Sequence, residues 1–338
     1  MKFIFWLLEI LLLYGGDVTN IDELLKPARM ALTGCMNVQK NEKVLIVTNP
    51  EKMPIAEALF TEARNLHAES SILVYPPGTM NGEEPPDNVR EAMFNADVIL
   101  APTVTSISHT DARRSVSKKG RARIATLPGI TEEIFIRGLS ADYKEIAEIC
   151  DRVYRYLNPA KRAHVTTPYG MDLTLDISNE AEVSNGLIHK PGDFSNLPDG
   201  ETELAPVSAD GILVANRCDH YITAPTKFEL KDGYIVSYDT NDSGKRFRAL
   251  IEESMEKDGN TNASFIAEFA IGTNPTARVT GNVLEDEKVL GTCHIAFGDN
   301  TSYPGGANKS TLHMDVIIFE PTITLDDKMI MENGTLLI

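Results

Sequence analysis

The feature that most limits the fold is a change of rhythm near residues 158–165. Before it, short apolar runs alternate with amphipathic ones: IDELLKPARMALTGC, KVLIVTN, MPIAEALFTEARNL, SSILVYPP, NVREAMFNA, ADVILAPT, RARIATLPG and ADYKEIAEICDRVYRYL. Strand-like runs separated by segments of helical period predict a parallel sheet flanked by helices. After the change come strands with turns, AHVTTPYGMDLTLDIS, GILVANRC and KFELKDGYIVSYD, interrupted by one helix, SGKRFRALIEESMEK. The Asp-Gly pair between alternating runs is a hairpin signal. The reading is therefore an α/β chain in three parts. An N-terminal extension covers 1–18, a parallel α/β domain covers 19–160, and a strand-rich α+β domain over 161–338 holds the metal site. A chain of 338 residues is long enough for two cores.

Charge and motifs narrow the function. A net charge of -17 argues against nucleic acid as a partner, because phosphate binding depends on Lys and Arg, and it suits a site that concentrates cations. No glycine-rich dinucleotide or nucleoside-triphosphate motif occurs. Cys35, Cys150, Cys218 and Cys293 show no C-x-x-C spacing, which predicts reduced thiols and a cytoplasmic protein. The opening MKFIFWLLEILLLYGGD is too short for a membrane span. It reads as a signal peptide weakened by Glu9, as a helix docked on the body or a subunit partner, or as a start-site extension.

The candidate site lies in the second half. In TLHMDVII the strand period places His313 and Asp315 on one face and Leu312, Met314 and Val316 on the other. Glu268 stands alone in the apolar run SFIAEFAIGTNP, where a buried carboxylate needs a partner or a cation. Glu201 follows a Pro-Asp-Gly turn, and His294 lies in GTCHIAFGDN. Each has an ordinary alternative: an exposed turn acid, half of an internal ion pair, a core histidine, a solvated strand face. Together, three carboxylates and two imidazoles suit two divalent ions, with zinc, cobalt or manganese fitting mixed oxygen and nitrogen ligands. Adjacent ions polarise a carbonyl and deprotonate a bridging water, which is hydrolase chemistry.

NLPDGETELAP, AEFAIGTNP, HIAFGDN and GGANKSTLHMD, in that order, resemble the aminopeptidase T (thermophilic aminopeptidase) family of metallo-aminopeptidases. The resemblance covers most of the chain after residue 20. It implies a homodimer that releases N-terminal residues from short peptides, with two metal ions on Glu201, Glu268, His294, His313 and Asp315. It also implies a tyrosine at the metal site, for which Tyr303 is the nearest candidate. The chain departs from that family at Gly200, where many members carry an acid beside the one matching Glu201.

The stretch TSISHTDARR, residues 105–114, is similar to the dihydroxypyridine dioxygenases, which use one Fe(II) held by two histidines and an aspartate. There His313 and Asp315 match two ligands, and Glu268 stands where the other histidine would be, which favours the two-metal hydrolytic reading and leaves open a single iron on His294, His313 and Asp315. That similarity makes His109 a substrate-contacting or proton-transfer residue. The alternative is a polar residue before a helix capped by Thr110 or Asp111. Arg113 and Arg114 read as carboxylate-binding or merely solvated. Two functions follow: a metallo-aminopeptidase or, as the alternative, an Fe(II) ring-cleaving dioxygenase.

Overall fold

The computed structural model describes residues 21–119 and 122–338, so the expected extension over 1–18 lies outside the described residues. Strands β1 (Lys43–Thr48), β2 (Glu69–Val74), β3 (Val98–Thr103) and β4 (Arg123–Pro128) are linked by helices and pair in parallel. Their side chains alternate between two cores: Val44, Ile46, Val98 and Leu100 on one face, Leu45, Val47, Ile99 and Ala101 on the other. Burial on both faces explains why these strands read as unbroken apolar runs.

The chain next forms β5 (Arg162–Thr166), β6 (Asp172–Asp176), β7 (Glu182–Ser184) and β8 (Phe194–Asn196). β8 returns to the first sheet and pairs in parallel with β4, giving the order β2-β1-β3-β4-β8. Three residues reading FSN carry no apolar pattern, so this fifth strand is set by tertiary context. After β9 (Glu201–Leu204) come β10 (Ser208–Ala215), β11 (Thr226–Lys231) and β12 (Tyr234–Tyr238). Asp232 and Gly233, both at positive φ, form the expected hairpin turn between the last two.

The last strands are β13 (Ile266–Gly272), β14 (Thr292–Gly298), β15 (His313–Phe319), β16 (Thr322–Leu325), β17 (Lys328–Glu332) and β18 (Thr335–Leu336). They complete an eight-stranded antiparallel sheet, β12-β11-β10-β6-β5-β16-β17-β18, and a five-stranded one, β15-β14-β13-β9-β7. One core joins these two sheets and includes Leu173, Leu213, Phe228, Phe269, Ile295, Phe297 and Val316. The helix Tyr143–Leu157 joins the halves, because Tyr143, Ile146 and Cys150 pack in the first core while Val153 and Leu157 pack in the last. The expected α/β class, a parallel sheet followed by antiparallel sheets, is what the structure has.

Candidate metal centre and cleft

The second five-stranded sheet turns one face to its core and the other to a cleft. Register fixes what the cleft face carries. Ala270 pairs with His294 on one side and Glu203 on the other, while Ala296 pairs with Glu268 and Asp315. His313 lies opposite Gly298, and Glu201 opposite Gly272. Ligand-bearing residues thus alternate with Ala and Gly across the sheet. The small residues leave room for charged heads that would otherwise be crowded out.

The structure brings Glu201, Glu268, His294, His313 and Asp315 together. His294 Nε2 is 3.0 Å from Glu268 Oε1, and His313 Nε2 is 3.1 Å from Glu268 Oε2. Asp315 Oδ1 lies 3.6 Å from His313 Nε2 and 3.9 Å from His294 Nε2, and Glu201 Oε2 lies 3.6 Å from His294 Nε2. Three overlapping triads have ligand atoms within 4.8 Å of one another: Glu201, Glu268 and His294; Glu268, His313 and Asp315; Glu287, His294 and Asp315. Glu201 Oε2 and Asp315 Oδ1 are buried with no hydrogen-bond partner. Buried carboxylate oxygens without donors call for a cation, so this residue set fits a divalent ion.

Burial alone would raise the Glu268 carboxyl, but hydrogen bonds from His294 and His313 outweigh it and hold the group well below the usual carboxylate range. Burial likewise opposes charge on His313, yet Asp315 and Glu268 together push that imidazole well above its ordinary value. His313 Nδ1 is 2.7 Å from the Asp299 carbonyl, to which it donates, leaving Nε2 for the cluster. Tyr303, the tyrosine expected at the site, donates its hydroxyl to Glu268 Oε2 at 2.6 Å and stands 3.4 Å from Glu203 Oε2.

The other end of the cluster has a cation of its own. Lys288, 1% exposed, bonds Glu201 Oε1, lies 2.8 Å from Glu287 Oε1 and is 3.8 Å from Asp199. Burial works against its charge, but Glu201, Glu287 and Asp199 outweigh that and raise its pKa. Sequence reasoning missed Lys288, Glu287 and Glu203. LEDEKVLG looks like a solvated charge run, whereas Glu203 was findable, since it shares the face of Glu201 two residues on.

At Gly200, φ is +137°, and a Cβ there would come within 2.8 Å of Asn274 Cβ. An acid has no room at that position, so the departure is imposed by the backbone.

His109 lies in the loop after β3, at the carboxyl end of the parallel sheet, where open α/β sheets bind ligands. Thr110 is the N-cap of the helix Asp111–Lys118, leaving the His109 side chain free to cross the cleft. It stacks on His313 with ring centroids 4.9 Å apart, and its Nδ1 is buried with no partner. Burial, with His313 and Arg113 nearby, lowers its pKa to about 3, so it is neutral at pH 7. Arg113 is not solvated: it is buried, with its guanidinium 3.9 Å above the Phe194 ring. Arg114 lines the cleft, 3.4 Å from Asp299.

A cleft between a parallel sheet's carboxyl ends and a sheet face bearing acids and imidazoles defines an enzyme with a candidate metal centre. The sequence model for 2,5-dihydroxypyridine 5,6-dioxygenase (NicX) matches residues 23–338, and the chain belongs to that family. Two solved structures share the fold. One is 2,5-dihydroxypyridine dioxygenase from Pseudomonas putida, with a TM-score of 0.80, 18% identity, and coverage of 94% of this chain and 98% of that one. The other is wild-type AmpT from Thermus thermophilus, with a TM-score of 0.70, 18% identity, and coverage of 94% and 99%. No curated protein matches this chain. The expected likeness to both groups holds at the level of fold, but the family match lies with the dioxygenases and gives no support to the aminopeptidase as the main reading. The described residues form four free, buried cysteines and no helix long and apolar enough to cross a membrane.

Proposed function

We propose that this protein opens a dihydroxylated, pyridine-like aromatic ring with dioxygen at one Fe(II) held by Glu268, His313 and Asp315. One observation carries the reading: Glu268, His313 and Asp315, which the sequence resemblance sets against the dioxygenases' iron ligands, form one triad on the cleft floor. Family membership supports it. Within the triad, His313 and Asp315 are the partly exposed members, with side chains 11% and 14% accessible, so a substrate meets them first. Bound iron supplies the one-electron chemistry that lets dioxygen react with an aromatic ring.

The chain's own groups hold and orient. Tyr303 and the imidazoles fix Glu268, while the Asp299 carbonyl fixes the His313 ring. His109, neutral and with Nδ1 buried and unpartnered beside His313, offers that nitrogen as a hydrogen-bond acceptor that orients a ring hydroxyl. Glu268 stands where a two-histidine, one-carboxylate iron site has its second histidine, so the donor set departs from that pattern at this one position.

A second reading has its own observation. Glu201 and His294 form a further triad with Glu268, giving more ligands than one ion needs. Two zinc, cobalt or manganese ions there would serve peptide hydrolysis, with a homodimer as the expected assembly. Oxygen uptake by Fe(II)-loaded protein with 2,5-dihydroxypyridine, set beside amino-acid release from dipeptides by zinc- or cobalt-loaded protein, separates the two. Ring-dependent oxygen uptake is the expected result. Dipeptide hydrolysis without any oxygen uptake would overturn the primary reading.

A further inference from the structure

No apolar pattern calls for β8, yet the chain returns to the parallel sheet to make it. Its pairing with β4 sets Asn196, the last residue of the strand, beside Thr126. There an outer cleft of about 800 Å³ meets an inner chamber of about 290 Å³, and Asn196, His109, His313 and Asp315 line both.

The Asn196 carboxamide is held from one side. Thr126 Oγ1 donates to its Oδ1 at 2.6 Å, and the Ser108 hydroxyl lies 3.3 Å from the same atom and 2.8 Å from Thr126 Oγ1. Ser106 Oγ accepts from the Ser108 N–H at 3.2 Å and donates to Ser108 Oγ at 3.0 Å. The hydroxyl hydrogens therefore run one way along this chain and end on Oδ1, which fixes the direction of the amide. Among the described residues Nδ2 has no hydrogen-bond partner, and with Oδ1 turned to the sheet it is the end left for the cavities. The chamber wall is otherwise rich in acceptors, with Glu201, Glu203, Glu268 and Asp315. Arg113, the cation there, is turned onto the Ser108 carbonyl and the Phe194 ring. An amide whose oxygen is engaged by two hydroxyls is not a metal ligand but a neutral, oriented pair of N–H donors.

We infer that Asn196 binds an oxygen on the substrate ring, donating to it from Nδ2 where the two cavities meet. The inference rests on the ring-opening reading and adds to it a residue that determines specificity. An oxygen substituent, as hydroxyl or deprotonated, accepts that bond. A C–H at the same ring position leaves the amide donor unmet, and sites built to bond a hydroxyl reject analogues that lack it.

The test is anaerobic calorimetric titration of the Fe(II)-loaded full chain with 2,5-dihydroxypyridine, 2-hydroxypyridine and 3-hydroxypyridine, in the wild type and in Asn196→Asp. The aspartate keeps an acceptor for Thr126 but presents an acceptor, not a donor, to the ring. It is expected to weaken binding of the dihydroxylated ring by about tenfold or more, and to weaken by less than about threefold the monohydroxylated ring that lacks the bonded oxygen. A loss shared equally by all three rings, or an unchanged or tighter affinity for the dihydroxylated one, would overturn the role of Asn196 and leave the ring-opening reading standing. Binding of none of the rings by the wild type would overturn both. Should Asn196→Asp load less iron or fail to fold, Asn196→Ala decides by the same comparison.

Discussion

The two ends of the carboxylate cluster differ in what neutralises them. At one end Glu201 and Glu287 hold Lys288, a cation that is part of the chain. At the other, Glu268 and Asp315 face His313 and His294, and Asp315 Oδ1 has no hydrogen-bond partner. Both ends are buried acid clusters, so burial of charge alone does not make a metal site. The lysine end is compensated in part by Lys288, which leaves Glu201 Oε2 buried without a hydrogen-bond partner. The histidine end carries unmet acceptors beside a cleft, and that combination is what a dissociable ion requires.

Removing a ligand at the histidine end should have the largest effect. Asp315→Ala is expected to lower bound metal and activity by about 100-fold or more while leaving the fold intact. Metal analysis and circular dichroism on one preparation check this, and a fully loaded, active variant would show that the two ends had been assigned wrongly. Lys288→Met should do the reverse. It breaks a fully buried charge cluster, costing about 3–5 kcal/mol of stability, read as a lowered midpoint of chemical denaturation. Added divalent metal should recover part of that loss, since the freed acids would then take an ion.

A smaller effect belongs to the tyrosine. Tyr303→Phe removes the 2.6 Å hydrogen bond that orients Glu268 and should weaken metal affinity by about tenfold, measured by competition with a chelating dye. Affinity equal to wild type would mean that the two imidazoles alone fix Glu268.

Much of this contrast was legible in the sequence, but unevenly. Glu268 stood out because a carboxylate in an apolar strand needs explaining, and His313 and Asp315 because strand period puts them on one face. Convergence was not legible, since it depends on β14 lying between β13 and β15. Lys288 was hidden for the opposite reason: in a charge run, a lysine that is 1% exposed looks like one on the surface. Arg113 misled similarly, because a helix arginine gives no local sign that an aromatic ring, Phe194, waits under it in β8. Fold class was the easiest part, because doubly buried strands and hairpins write themselves into short-range pattern. Strand β8, crossing back to the parallel sheet, did not.

The most direct measurement is the stoichiometry and position of bound metal, from elemental analysis of protein purified without added metal and anomalous scattering at the iron, zinc and cobalt edges. The account predicts one iron on Glu268, His313 and Asp315, with Lys288 still bonded to Glu201. Two zinc or cobalt ions, one of them on Glu201 and His294, would contradict it.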